Sequence, residues 1–225
     1  MTMERQKEAL VFGASGGIGT AVASILSGDN FRVTEASRAE CELSDSNSIR
    51  RYLDDYPDVP QSVIFAAGVN VPQELSNDDL QNFRITMEIN AQAALQIYSH
   101  FAPKQAEYGG GSNVVISSLY SQLSRRGRSA YSASKSALEA LVRSFALEFA
   151  SGGVRFNSIQ PGFIDTSLTR QNNSAEKIDA LKKDIPIGRL GGAEEVASAV
   201  RYFVSHESSY VTGASLKIDG GYSLE

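Results

Sequence analysis

Residues 8–28 read EALVFGASGGIGTAVASILSG. A short β-type run ends at Gly13, a loop carries Gly17 and Gly19, and a helical pattern follows at once. Glycine lets the chain turn sharply, lets a helix pack close to the preceding strand, and leaves room for a phosphate to approach the backbone. The helix start then presents unpaired N–H groups and a positive dipole end to an anion. A G-x-x-x-G-x-G spacing is weak evidence alone, but here it follows the first strand and opens a helix, as dinucleotide binding requires. Gly13, Ser15, Gly17, Ile18 and Gly19 are therefore expected to hold a pyrophosphate.

The remaining chain repeats the same alternation. Strand-like runs occupy 8–13, 31–36, 62–68, 113–118, 154–159 and 215–219, and helical patterns fall near 17–28, 46–55, 78–106, 130–150 and 193–205. Strand, helix, strand at this rhythm predicts an α/β fold, a doubly wound parallel sheet with helices on both faces. The cores SVIF and VVIS are apolar on both faces, as buried parallel strands are. After the second strand, only AECELS precedes the next helix, which Ser44 or Asp45 would cap. A parallel crossover needs a dozen or more residues. The usual third strand and its crossover helix are thus expected to be shortened or absent, leaving the second strand at an edge. Ligands of such a sheet bind beyond the carboxyl ends of its strands.

Composition narrows the field. The chain has 225 residues, 42% hydrophobic and 21% charged, enough for one sizeable core and consistent with a single domain over 1–225. A net charge of −5 disfavours nucleic acid as a partner. The first residues read as neither a secretory leader nor a membrane anchor. Cys41 stands alone, so no internal disulfide forms and a reducing cytoplasm is the expected compartment. His100 and His206 are too few and too far apart for a zinc site or a His-based triad, and no metal is expected.

The end of the second strand, FRVTEASR, addresses which dinucleotide binds. An NAD-type site places Asp or Glu there for the ribose 2′-hydroxyl. Ser37 and Arg38 suit a 2′-phosphate instead. Glu35 shares the strand face of Ser37, so the preference for NADP(H) over NAD(H) carries an acidic neighbour.

YSASK at 131–135 places Tyr131 one helical turn before Lys135, with Ser118 thirteen residues upstream at a strand's carboxyl end. The pair is either an ordinary surface couple or a tuned acid. A phenol titrates near ~10, and a fixed ammonium alongside is expected to lower that value towards the useful range. Ser118 would hold a carbonyl or hydroxyl oxygen beside it.

Taken together, VFGASGGIG, the strand-end AAG at 66–68, Asn90 in MEINAQAAL, ISS before YSASK, QPGFIDT at 160–166 and IPIGRLGGAEEVASAV…YVTGASLKIDGGY resemble the short form of the short-chain dehydrogenases/reductases. The resemblance spans nearly the whole chain and implies a Rossmann-like domain. It implies a catalytic tetrad of Asn90, Ser118, Tyr131 and Lys135, in which Asn90 binds a water that links Lys135 to solvent. It adds Glu42, Leu43, Ala66, Ala67, Gly68, Pro161, Gly162, Ile164 and Thr166 to the cofactor contacts, along with Asn90, Tyr131 and Lys135. Three positions depart from the family pattern: Phe12 where Thr is usual, Ala66 for Asn, and Glu42 for the Asp near adenine.

Within the family, the chain is most similar to 3-oxoacyl-acyl-carrier-protein reductases, implying reduction of a 3-oxoacyl thioester or similar carbonyl. An NAD-dependent alcohol dehydrogenase and a non-catalytic NADP sensor are the alternatives. Arg170 matches a residue that docks the acidic carrier, whereas Lys104 is offset by Glu107. SRRGR at 124–128 is either a solvated basic turn or a grip for an anionic substrate group. Residues 166–185 read as a substrate lid, its Ile178, Leu181 and Ile185 facing either an acyl chain or the domain. The long helices carry apolar surface suited to a homodimer or homotetramer, as the family implies.

Overall fold

The computed structural model describes residues 7–72, 74 and 80–224. The first two residues of the helix expected from 78, and the terminal residues 1–6 and 225, lie outside that set. Six strands form one sheet: β1 (Glu8–Phe12), β2 (Arg32–Ala36), β3 (Ser62–Phe65), β4 (Gly111–Ile116), β5 (Val154–Pro161) and β6 (Ser215–Ile218). Their spatial order is β2-β1-β3-β4-β5-β6 and every pairing is parallel.

Alternation along the strands divides the core in two. Leu10, Phe12, Val63, Phe65 and Val115 point to one face, under α2 (Ser46–Asp55), α4 (Ala93–Glu107) and α5 (Ser129–Phe149). Ala9, Val11, Ile64, Val114 and Ile116 point to the other, under α1 (Gly17–Gly28) and α8 (Ala193–Val204). Both faces are dry, so the central strands need to be apolar throughout. Burying a single Leu or Phe side chain of this kind contributes roughly 1.5–3 kcal/mol.

The short link after β2 behaves as its length requires. Ser37 O accepts from the backbone N–H groups of Glu40 and Cys41, closing a turn, and Asp45 then caps α2 by accepting from Asn47 N at 2.9 Å. No strand forms in this link, and β2 ends the sheet. The chain leaves β1 for β2 on one side and returns to β3 on the other. The connections leaving the paired carboxyl ends of β1 and β3 run to opposite faces of the sheet, opening a crevice above the strand ends where the strand order reverses.

The expected continuous helix over 78–106 is interrupted. α3 (Leu80–Met87) passes into a π turn at Glu88–Gln92, closed by Ala93 N–H donating to Glu88 O, before α4 resumes. The wider turn has no counterpart in the apolar spacing of the sequence. It places Asn90 inward, fully buried. Beyond β5 two short helices, α6 (Ser167–Asn172) and α7 (Ala175–Asp184), occupy the segment expected to be a lid. Leu181 and Ile185 are buried but do not line the main cleft, so that stripe packs on the body of the protein.

Candidate active site

The glycine turn is built by close approach. Gly13 adopts φ +82°, and a Cβ there would lie 2.5 Å from Ala67 N. A Cβ on Gly19 would lie 2.1 Å from Gly13 O. The turn therefore presses β1 against the end of β3 and α1 against the turn, with no space for a side chain at either point. Gly16 gives α1 no side-chain cap, and its first turn holds no acid. Its leading N–H groups face outward beside exposed Ser15, Gly16 and Gly17. This cradle of donors at a helix N-terminus fits the pyrophosphate of a dinucleotide.

At the end of β2 the donors expected for a 2′-phosphate are already engaged. Ser37 Oγ and N both donate to Glu40 Oε2, and Arg38 Nε donates to Glu42 Oε2 at 2.7 Å. The Arg38 side chain is 83% exposed, so the pair is a surface contact that a stronger anion can displace. The other Glu42 oxygen accepts from Ser44, and Leu43 packs on the core near α2.

One cleft runs from the sheet crevice towards α6. Ile18, Ala66, Ala67, Gly68, Ser118, Tyr131, Lys135, Pro161, Gly162, Ile164 and Thr166 line it. Gly13, Ser15, Gly17, Gly19, Ser37, Arg38, Glu42 and Leu43 do not, and lie around the glycine turn and the end of β2. Gly17 and Thr166 link the two regions, since a Cβ on Gly17 would meet Thr166 Cγ2 at 3.0 Å.

Within the cleft, Ser118 follows β4 by two residues and accepts at Oγ from Tyr120 N at 3.2 Å. Tyr131 and Lys135 occupy the first two turns of α5. Lys135 is 2% exposed, and its Nζ donates to Ile116 O at 2.8 Å, pinning it to the end of β4. The ammonium sits 5.6 Å from the centre of the Tyr131 ring.

The electrostatics correct one expectation. Burial pushes the Tyr131 phenol above its ordinary value, and a hydrogen bond with Ser118 pulls it back in part. The cation that draws it down is Arg128. Lys135 is itself lowered to about 8 by burial, against a smaller upward pull from Glu139. With a pKa of about 8 Lys135 is still mostly charged at neutral pH, but desolvation of the phenol outweighs the nearby cations, which is why helical spacing alone misjudged the sign. The phenol is thus held in its acid form at neutral pH, as a proton donor needs to be.

Asn90 is held by both ends of its side-chain amide. Its Nδ2 donates to Val69 O and Ser134 Oγ, each at 2.9 Å, and its Oδ1 accepts from Val69 N at 2.8 Å. The side-chain amide braces the loop after β3 against α5.

Several cleft residues carried no sequence signal. Asn70 follows the AAG strand end. Tyr120 meets Tyr131 edge-on at 6.2 Å between ring centres. Tyr222 reaches in from beyond β6 and packs edge-on against Phe163 at 5.0 Å. Their chain positions are far apart, and only the fold brings them together. Arg170, read as a carrier-docking residue, is held by Asp165 through two bonds of 2.7 and 2.8 Å.

Comparisons with known proteins agree with this geometry. The family model described as enoyl-(acyl carrier protein) reductase matches residues 33–223. Carbonyl reductase family member 4 of Xenopus laevis is 32% identical over 238 residues, covering 97% of this chain and 98% of that protein. The 3-oxoacyl-[acyl-carrier-protein] reductase FabG of Salmonella typhimurium is 29% identical over 240 residues, covering 96% of each. A candidate NAD(P)-dependent gluconate 5-dehydrogenase from Beutenbergia cavernae, solved with NADP at low occupancy, shares the fold at a TM-score of 0.92 and 25% identity, with 97% of both chains covered. The chain belongs to the short-chain dehydrogenase/reductase family and is an oxidoreductase acting on the CH–OH/C=O pair.

Proposed function

We propose that the chain reduces a ketone to a secondary alcohol with NADPH. The observation that carries this reading is the convergence of Ser118, Tyr131 and Lys135 in the cleft that leads to the glycine turn. The dinucleotide, when bound, supplies a hydride to the carbonyl carbon. The chain's own groups do the rest. Ser118 Oγ orients the carbonyl oxygen, and the phenol of Tyr131 gives its proton to that oxygen as negative charge develops there. Lys135, fixed on Ile116 O, is placed to hold the nicotinamide ribose and to reload the phenol. Asn90 positions both partners by clamping Val69 and Ser134. α6 and α7 serve as the lid of a single domain.

The preference for NADPH rests on Ser37 and Arg38, and the NADP bound to the Beutenbergia cavernae protein supports it. A second reading, an NAD-dependent alcohol dehydrogenase, is favoured by Glu40 and Glu42, whose carboxylates oppose a 2′-phosphate. The substrate is a small carbonyl compound or acyl thioester. Arg170 is paired with Asp165 at the surface, so an acidic carrier docking there would displace that carboxylate, as a 2′-phosphate would displace Glu42 from Arg38.

Exposed Phe83, Leu95 and Leu147 on α3, α4 and α5 support a homodimer or homotetramer. Among the described residues no helix is long and apolar enough to cross a membrane, and a cytoplasmic site of action is the accompanying proposal.

The test is NADPH consumption with β-keto thioesters, cyclic ketones and keto sugars, repeated with NADH and with Tyr131→Phe. Turnover that survives in Tyr131→Phe would sink the mechanism. NADPH binding with no turnover on any ketone would favour a sensor.

A further inference from the structure

The cleft continues past Tyr131 to a basic pole that the reduction chemistry does not use. Arg128, the N-cap residue of α5, is 9% exposed. Its guanidinium has one hydrogen-bond acceptor among the described residues, Asn70 Oδ1 at 2.7 Å, and forms no ion pair among them. The groups acting on it electrostatically are Arg125, which repels it, and the phenols of Tyr120 and Tyr131. Arg125 lines the same cleft, with Nη1 donating to Tyr120 Oη at 3.4 Å and its guanidinium 5.9 Å from the Phe163 ring centre.

Arg155 shows how this chain completes an arginine that serves structure. Its guanidinium donates to Ser208 Oγ and to the carbonyls of Phe203, Ser205 and Val211. Arg128 has most of its donors open, in a buried place where an uncompensated charge is unfavourable. Two guanidinium groups that repel each other beside a cleft are stabilised by an anion between them. One free guanidinium edge matches the two coplanar oxygens of a carboxylate. Asn172 Nδ2 donates to Asn70 O at 3.3 Å, so α6 closes on the same loop that holds Arg128.

We propose that Arg128, assisted by Arg125, is a carboxylate-recognition subsite, and that the substrate is an oxo acid whose ketone lies at Tyr131 while its carboxylate lies on Arg128. This rests on the ketone-reductase reading above and narrows it to a substrate class. Arg126 is exposed and does not line the cleft, so the basic run contributes two of its three arginines.

Two readouts separate this proposal from the one it rests on. The NADPH-loaded protein is titrated calorimetrically with butyrate and with its neutral isostere butyramide, which needs no turnover. In parallel, kcat/KM is compared for oxo acids of different chain length and their methyl esters. Butyrate is expected to bind at least about tenfold tighter than butyramide, and the best oxo acid to exceed its ester by ~100-fold, mainly in KM. Arg128→Met is expected to abolish both preferences, Arg128→Lys to restore part, and Arg126→Ala to keep them whole. Arg125→Met, at an exposed position where folding is not at stake, lowers them by a smaller factor. Equal binding of butyrate and butyramide to the wild type, or a preference that survives in Arg128→Met, overturns the subsite. A carboxylate preference without any NADPH-dependent ketone turnover overturns the reductase reading and leaves the subsite standing.

Discussion

Replacing Lys135 by Met should abolish ketone turnover and yet make the protein more stable at neutral pH. Met matches the length of the lysine stem and removes only the charge and its one bond, to Ile116 O. Burial lowers Lys135 from an ordinary 10.5 to about 8. At pH 7 that difference corresponds to roughly 3 kcal/mol of unfavourable burial of the ammonium. The lost hydrogen bond returns about 1 kcal/mol, leaving the variant ahead by about 2 kcal/mol. Because the folded pKa lies below the unfolded one, the unfolded chain binds the extra proton between about 8 and 10.5. Wild-type stability therefore rises relative to the variant across that window, whereas below it the penalty is fully expressed. By pH 10 the penalty has shrunk to roughly 1 kcal/mol and the two proteins should be equally stable. Urea unfolding of both at pH 7, 8, 9 and 10, at one protomer concentration, measures the difference. A gap that is flat with pH, or a variant less stable at pH 7, would refute the idea of an under-compensated buried ammonium.

Other outcomes follow from the same geometry. kcat/KM for reduction should fall as pH rises past about 8, where Lys135 loses its proton, and Lys135→Arg should move that limb upward, as a pH–rate profile would show. Gly19→Ala forces a Cβ against Gly13 O, so unfolding free energy should drop by about 1–3 kcal/mol and dinucleotide affinity should fall with it, read by denaturation and fluorescence titration. Arg38→Ala should lower the NADPH/NADH affinity ratio, while Glu40→Gln, by freeing Ser37 and removing an opposing charge, should raise it several-fold at low salt, checked by the two dissociation constants.

How much of this was legible in the chain depended on whether the signal was local. The glycine turn, the strand cores and the AECELS gap are local constraints, and each fixes its neighbourhood by sterics or length. They were enough to place β2 at an edge and the crevice beside β1 and β3. Tyr131 and Lys135 were legible for the same reason, one helical turn apart. Their electrostatics were not, because the sign of a pKa shift depends on burial, and burial is set by β4 and the Ile116 carbonyl. The π turn at Asn90 also escaped, since the apolar spacing around it runs on as in an unbroken helix. Ser37 and Arg38 were placed correctly at the end of β2, yet the turn that brings Glu40 and Glu42 back onto them is a matter of loop geometry. Arg128 was visible only as one member of a basic run. What singles it out from Arg126 is that Arg128 points inward to Asn70.

The brevity of the link after β2 has a consequence for life at high concentration. A strand that ends a sheet leaves one row of backbone donors and acceptors ready to template another chain. β2 is five residues long and begins with Arg32, clamped by Glu8 and Asp58, with Glu35 exposed near its far end. Any strand docking there would have to strip water from these charges. The bare border that saves a strand and a helix is thereby guarded against self-association by its own side chains.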